Sequence, residues 1–297
     1  MDTREQMTSI QAALQEGTRR LKGVSDTPGL DAQVLLASLL GKPRAWLLAH
    51  PEAQLDPGAT AAWQASLARV EAGEPLPYVL GKWEFFNLEF EVTPQVLIPR
   101  PETELLVECA IPWLKSRQQT DQHLRVLDVG TGSGCIAIAL AANLPGIEVV
   151  ATDISPAALE VARCNAGCLL PSTAITFLEA DLFPNPGLQQ KFDLVIANLP
   201  YIPDRLLKTL PVSRHEPMVA LAGGSDGLAV IRRFLAKVPG YLEQDGLLLL
   251  EIEASQGEAA SLLAQENFPG AEVQLLQDLS GRDRLVEVHL HPCEVVR

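Results

Sequence analysis

Val126-Leu127-Asp128-Val129-Gly130-Thr131-Gly132-Ser133-Gly134-Cys135 decides how this chain of 297 residues folds. Residues 124–129 read as a buried strand. The strand runs straight into glycines at alternate positions and then into residues 135–143, which read as a helix. Glycine allows a tight turn and lets a ligand approach bare backbone. The first turn of the helix adds N–H groups that have no partner within the helix. Strand, glycine loop and helix in that order form the opening unit of a parallel sheet built to hold a nucleotide-like ligand.

Downstream the same alternation continues. Residues 147–152, 175–178, 194–197 and 247–252 read as strands, and residues 156–165, 228–238 and 257–265 as helices. The segments at 273–276 and 285–290 are strands with a short connection, expected to pair antiparallel. Such alternation predicts an α/β protein with a Rossmann-like parallel sheet covered by helices on both faces.

Upstream the texture differs. Residues 1–75 carry no strand signal. Residues 30–40 show three- and four-residue apolar spacing stopped by Gly41 and Pro43, and residues 59–72 a second helical pattern ended by Gly73 and Pro75. A small N-terminal helical domain follows. Residues 79–86 and 88–92 are aromatic and partly alternating, joined near Asn87, and predict a linking β-hairpin. Pro99 and Pro101 stiffen the loop after it. Glu102 and Glu104 then suit the positive start of a helix.

The glycine spacing narrows the ligand. A dinucleotide loop, G-x-G-x-x-G, places its third glycine five residues after the first. Here Gly134 comes four after Gly130, and residue 135 is cysteine. That spacing favours S-adenosyl-L-methionine, which has no pyrophosphate to seat. Gly130, Thr131, Gly132, Ser133 and Gly134 form the expected cradle. Asp153 ends the second strand, where a carboxylate binds ribose hydroxyls. Asp181, just past the third strand, is placed to accept from the adenine amino group, with Leu182 or Phe183 packing on the ring.

Asn198-Leu199-Pro200-Tyr201 ends the fourth strand, beside the strand carrying the glycine loop. In an amide or aromatic amine the nitrogen lone pair is delocalised and weakly nucleophilic. A site that holds both N–H hydrogens with acceptors fixes the nitrogen in line with a methyl donor. Asn198 offers a side-chain carbonyl there, next to the cofactor, and Leu199 a backbone carbonyl. Pro200 stiffens the turn and Tyr201 provides a flat wall. His215 follows closely enough to be a candidate lining residue. Glu251 and Glu253, at strand spacing, read as structural or solvated. His289 and His291 alternate on the last strand, but two histidines without a third ligand make no metal site, and no metal is expected.

Composition bounds the rest. The net charge is −14, with no basic run, which tilts the substrate away from duplex DNA and towards a protein or small molecule. No apolar run is long enough to span a membrane, and Met1-Asp2-Thr3-Arg4-Glu5-Gln6 lacks the features of a signal peptide. Cys109, Cys135, Cys164, Cys168 and Cys293 are scattered and read as reduced thiols. A cytoplasmic protein is expected.

Several motifs in one order carry a family resemblance over nearly the whole chain. They are Pro75-Leu76-Pro77-Tyr78-Val79-Leu80-Gly81, Leu97-Ile98-Pro99-Arg100-Pro101-Glu102-Thr103-Glu104, Asp128 through Gly134, Asn198 through Pro203, His215-Glu216-Pro217, Gly223-Gly224-Ser225-Asp226-Gly227-Leu228 and Asp278-Leu279-Ser280-Gly281-Arg282-Asp283-Arg284. In these the chain resembles the protein-(glutamine-N5) methyltransferases that act on peptide chain release factors, the HemK/PrmC type. The resemblance implies a class I S-adenosylmethionine-dependent methyltransferase sheet. It implies a substrate-recognition domain at 1–75, hairpin and linker at 76–101, and the catalytic domain at 102–297. The implied substrate is the glutamine of the Gly-Gly-Gln loop in class-1 release factors; the charge leaves no direct nucleic-acid partner expected, and the oligomeric state is open with a monomer favoured. The family turn is Asn-Pro-Pro-Tyr, and here Leu199 replaces the first proline. Leucine keeps the backbone acceptor and loses rigidity. Leu182 stands where some relatives place tryptophan. The alternatives are a ribosomal-protein glutamine, the N6 nitrogen of adenine in nucleic acid, and a non-catalytic protein that kept the cofactor fold.

Overall fold

The computed structural model describes residues 8–119, 123–172, 175–184 and 191–290. The chain divides into two compact units, Met1–Lys82 and Trp83–Arg297.

The first unit is helical: α1 (Ile10–Leu21), α2 (Pro28–Leu40), α3 (Arg44–Ala49), α4 (Pro57–Glu71) and α5 (Leu76–Leu80). Local chemistry sets the ends. Ser9 Oγ accepts from Ala12 N–H at 3.2 Å, and Asp56 Oδ1 from Ala59 N–H at 2.7 Å, each capping a helix start. Gly41 closes α2 in the left-handed region. Leu35, Leu36, Leu47, Trp63 and Leu67 bury together as its core. A Cβ at Gly17 would lie 2.7 Å from the Trp63 ring, so glycine is what lets α1 lie against that indole. Val79 and Leu80 are helical, whereas the aromatic pattern predicts a strand from residue 79. Pro75, Pro77 and the left-handed Gly81 bracket one turn of helix, and the hairpin starts three residues later than expected.

The second unit opens within that hairpin, β1 (Lys82–Phe85) and β2 (Leu88–Glu91), turned through Phe86 and Asn87. Both have positive φ, +50° and +59°, the geometry that matches the twist of paired strands. A short 3₁₀ turn, Pro101–Thr103, leads into α6 (Glu104–Gln118). Then follow β3 (Arg125–Val129), α7 (Cys135–Asn143), β4 (Glu148–Asp153), α8 (Pro156–Leu169), β5 (Ile175–Glu179), β6 (Phe192–Asn198), α9 (Asp204–Leu207), α10 (Ala229–Lys237), β7 (Leu242–Glu251), α11 (Gly257–Asn267), β8 (Glu272–Gln277) and β9 (Asp283–His289).

Among the described residues these strands form a seven-stranded sheet in the order β5-β4-β3-β6-β7-β9-β8. The first five are parallel. β9 runs antiparallel to both β7 and β8 and inserts between them. Strand alternation sends Val126, Leu194, Ile196 and Leu247 to one face, under α6 and α7. It sends Leu127, Val129, Val195 and Leu248 to the other, under α10 and α11. Chain order reverses between β3 and β6, so a crevice opens at their carboxyl ends.

Among the described residues no helix is long and apolar enough to cross a membrane. Cys109, Cys135, Cys164 and Cys168 form no disulfide. Burial pushes the Cys109 thiol up to about 11. His289 Nε2 lies 3.0 Å from Glu287. His291 and Cys293 lie outside the described residues.

Candidate active site

A cavity of about 320 Å³ occupies that crevice, within the usual range for a small-molecule site. Gly130, Gly132, Asp153, Asp181, Leu182, Asn198, Leu199 and Pro200 all line it.

The glycine loop is held from beneath. Gly130 and Thr131 both donate their N–H to Thr152 O at 2.9 Å, joining the ends of β3 and β4. Gly130, Gly132 and Gly134 all have positive φ. A Cβ at Gly132 would meet no protein atom within 4 Å, so the position opens onto the cavity as a ligand cradle requires. At Gly130 a Cβ would lie 3.2 Å from Leu199 Cδ2, and at Gly134 3.2 Å from the Ala162 Cβ. The side chains between the glycines turn inward. Thr131 Oγ1 donates to Asp128 Oδ2 at 2.6 Å, and Ser133 is 2% exposed. Thr131, Ser133 and Gly134 shape the loop without lining the cavity.

Asp153 braces the loop as well as facing the cavity. Its Oδ2 accepts from Gly132 N–H at 2.9 Å and its Oδ1 from Ser155 N–H at 2.8 Å. Each oxygen keeps a lone pair for a further donor, which suits a ribose diol. Burial raises the carboxyl above its ordinary value, against the pull of those N–H groups. Asp181 forms an ion pair with Arg233 of α10, and both line the cavity. Between Asp181 and Phe183 the backbone makes a γ-turn, with Phe183 N–H on Asp181 O at 3.1 Å and Leu182 at φ +74°. That form is strained for a residue with a side chain. Thr152 Oγ1 holds it by donating to Leu182 O at 2.7 Å. Phe183 stacks on Phe234 and Tyr241, at centroid distances of 5.4 and 4.4 Å, rather than lining the cavity.

Asn198 ends β6. Its Nδ2 donates to Thr103 Oγ1 at 3.0 Å. Leu199 is 3% exposed and packs on Gly130, so the leucine contributes side-chain packing as well as a carbonyl. Pro200 lines the cavity and Tyr201 does not. The Tyr201 phenol is buried within electrostatic reach of Glu251, and burial raises its pKa. Tyr201 O accepts from Gln256 Nε2 at 3.0 Å, and Gly227 O from the same nitrogen at 3.2 Å.

Four polar residues to which the sequence gives no role in the cavity complete the site. Thr103, Glu216, Glu251 and Gln256 are all buried. Glu216, not His215, secures the loop bearing Gln95 and Leu97, which line the cavity. It accepts from Ile98 N–H at 3.1 Å and pairs with Arg100. Glu251 is 1% exposed, in line with the structural rather than the solvated of its two readings, while Glu253 caps the next 3₁₀ turn. The signal for Glu251 lies in its position, an acidic residue ending a buried strand level with Asn198.

Burial raises two carboxyls, Asp128 and Glu251, each to about 7. The folded state therefore holds protons that the unfolded chain releases. This stability is complete below the ordinary carboxyl range and is lost as pH rises through about 7. Raising pH from about 6 to about 8 is expected to remove about 1.4 kcal/mol per group. Thermal melts should show a falling Tm over that window, and a rising Tm would contradict the assignment.

Known proteins supply an independent comparison. A model of the PrmC N-terminal domain matches residues 12–81, and a methyltransferase domain model matches residues 120–276. The release factor glutamine methyltransferase of Moorella thermoacetica is 44% identical over 279 residues, 93% of this chain and 96% of its own. That of Bordetella pertussis is 43% identical, covering 87% and 93%. That of Coxiella burnetii is 39% identical, covering 94% and 98%. The hMettl16 catalytic domain, solved with the MAT2A 3'UTR hairpin 6, matches with a TM-score of 0.52 at 14% identity, over 80% of this chain and 83% of that one. At that identity the likeness concerns the fold.

Proposed function

The chain belongs to the release factor glutamine methyltransferase family, and from that premise we propose that Asn198-Leu199-Pro200-Tyr201 holds the substrate amide beside a cofactor seated on Gly130–Gly134, Asp153, Asp181 and Leu182. The enzyme is S-adenosylmethionine-dependent and methylates a release-factor glutamine. The glutamine is that of the Gly-Gly-Gln loop in class-1 factors. One observation carries this reading: Asn198, the glycine loop and Asp153 line the same cavity.

S-adenosylmethionine, when bound, supplies an electrophilic methyl on sulfonium sulfur. The residues of this chain do the rest. Gly132 leaves the space, and Asp153 offers acceptors to ribose hydroxyls. Asn198 commits its Nδ2 to Thr103, so its Oδ1 is free to accept a substrate N–H. The Leu199 carbonyl is assigned the second N–H. Held at both hydrogens, the amide nitrogen directs its electron pair at the methyl. Methyl transfer would form the N–C bond as the S–C bond breaks, with the pair passing to sulfur. The methylated nitrogen then loses one proton to water. Met218 and Val219, both about half exposed beside the cavity, give a protein loop an apolar rim.

Labelled methyl donor offered with purified release factor, ribosomal proteins and DNA in separate reactions tests the proposal. Label is expected on release factor. Label confined to a ribosomal protein or to DNA would overturn the substrate assignment.

A further inference from the structure

The cavity follows the edge of the sheet. Asp181 comes after β5, Asp153 ends β4, Gly130 and Gly132 follow β3, and Asn198 ends β6, while the sheet itself runs β5-β4-β3-β6. Three strand spacings, about 14 Å, therefore separate the Asp181 end from the Asn198 turn. α10 closes the Asp181 end. Its Val230 and Arg233 stand three residues apart on one helix face, and both line the cavity.

Two consecutive residues of α10 hold the γ-turn at Leu182 from either side. Arg233 Nη2 donates to Asp181 Oδ2, and the Phe234 ring stacks on Phe183 at 5.4 Å. Asp181 and Arg233 are each about half exposed. An ion pair so exposed adds little to folding stability. What it does supply is direction. An aspartate this open to solvent can turn its carboxylate into water, and the bond from Arg233 prevents that. Asp181 Oδ1 has no hydrogen-bond partner among the described residues, so it is left for a donor in the cavity.

We propose that Arg233 is a specificity-determining residue for the base of the cofactor: by holding Asp181 Oδ2 it aims Oδ1 at the 6-amino group of adenine. The inference rests on Asp181 being the residue that receives that amino group, and extends the reading to α10.

A carboxylate accepts and donates nothing, so the contact selects a purine with a donor at C6 over one without. The guanidinium donates from a rigid planar fork, so one of its N–H groups can occupy Oδ2 and leave Oδ1 open. A carboxylate held in advance loses little further freedom when the ligand arrives, and the new hydrogen bond then adds to affinity.

The test is calorimetric titration with S-adenosylhomocysteine and with its analogue lacking the 6-amino group. The parental enzyme should prefer the amino form about 10-fold, as expected of one hydrogen bond to a charged group. Arg233→Ala should cut that preference to within about twofold, Asp181→Ala should do the same, and the double variant should go no further. An arginine that only shapes the pocket wall would, on removal, raise both dissociation constants by the same factor. The preference would then stay at its parental value in Arg233→Ala, and the proposal would be overturned. A parental enzyme with no preference would show that adenine does not sit on Asp181, and the proposal would fall with that assignment. The readout is binding without release factor, so it is independent of which protein the enzyme methylates.

Discussion

Asn198→Ala is expected to lower kcat by about 10²- to 10³-fold while cofactor affinity stays within about threefold. The separation follows from where the side chain points its groups. Its Nδ2 is committed to Thr103, and the side-chain carbonyl is the acceptor assigned to the substrate. The cofactor cradle depends on other atoms, the N–H groups on Thr152 O and the Asp153 brace on Gly132. Alanine removes the acceptor and leaves that scaffold in place. Single-turnover methyl transfer and calorimetric titration with S-adenosylmethionine measure the two effects independently. Parental kcat in the variant would show that Asn198 does not hold the reacting amide.

Asp153→Ala should produce the opposite pattern. A hydrogen bond to a charged group contributes about 1.5–3 kcal/mol, so losing the net worth of one ribose contact should weaken cofactor binding about 10- to 100-fold. Two backbone contacts go with it, at Gly132 and Ser155. The loop loses its brace as the ligand loses its partner. At saturating cofactor kcat should fall far less, because Asn198 and Thr103 are untouched. Equal affinities for parent and variant by calorimetry would remove Asp153 from the ribose role.

The fold was legible where the chain's signals are local. The strand ending at Val129, the glycines after it and the helix from Cys135 can be read because hydrophobic period and turn chemistry coincide. Asn198 was legible for the same reason, as a polar residue ending an apolar strand before a proline. Val79 and Leu80 were misread as strand because their β-branched and apolar character gave no hint of one helical turn framed by prolines and Gly81. The nearness of Thr103 and Glu251 to Asn198 was not legible, for a different reason. Thr103 is 95 residues from Asn198 in sequence, and only the register of β6 on β7 brings Glu251 alongside. No local pattern encodes that meeting. The γ-turn at Leu182 was equally hidden, since leucine rarely takes positive φ and does so here under the hydrogen bond from Thr152.

Leu199 answers a question the sequence raises. The position loses the ring that a proline would supply. It gains an apolar contact with Gly130, the first glycine of the cofactor loop. The turn assigned to the substrate and the loop assigned to the cofactor are thus packed on each other.

The most direct measurement is tandem mass spectrometry of release factor after incubation with the enzyme and S-adenosylmethionine. One added methyl on the side-chain nitrogen of the Gly-Gly-Gln glutamine, absent when Asn198→Ala replaces the parental enzyme, is the expected result. A methyl on any other residue, or an unmodified glutamine after parental enzyme has turned over cofactor, would contradict it.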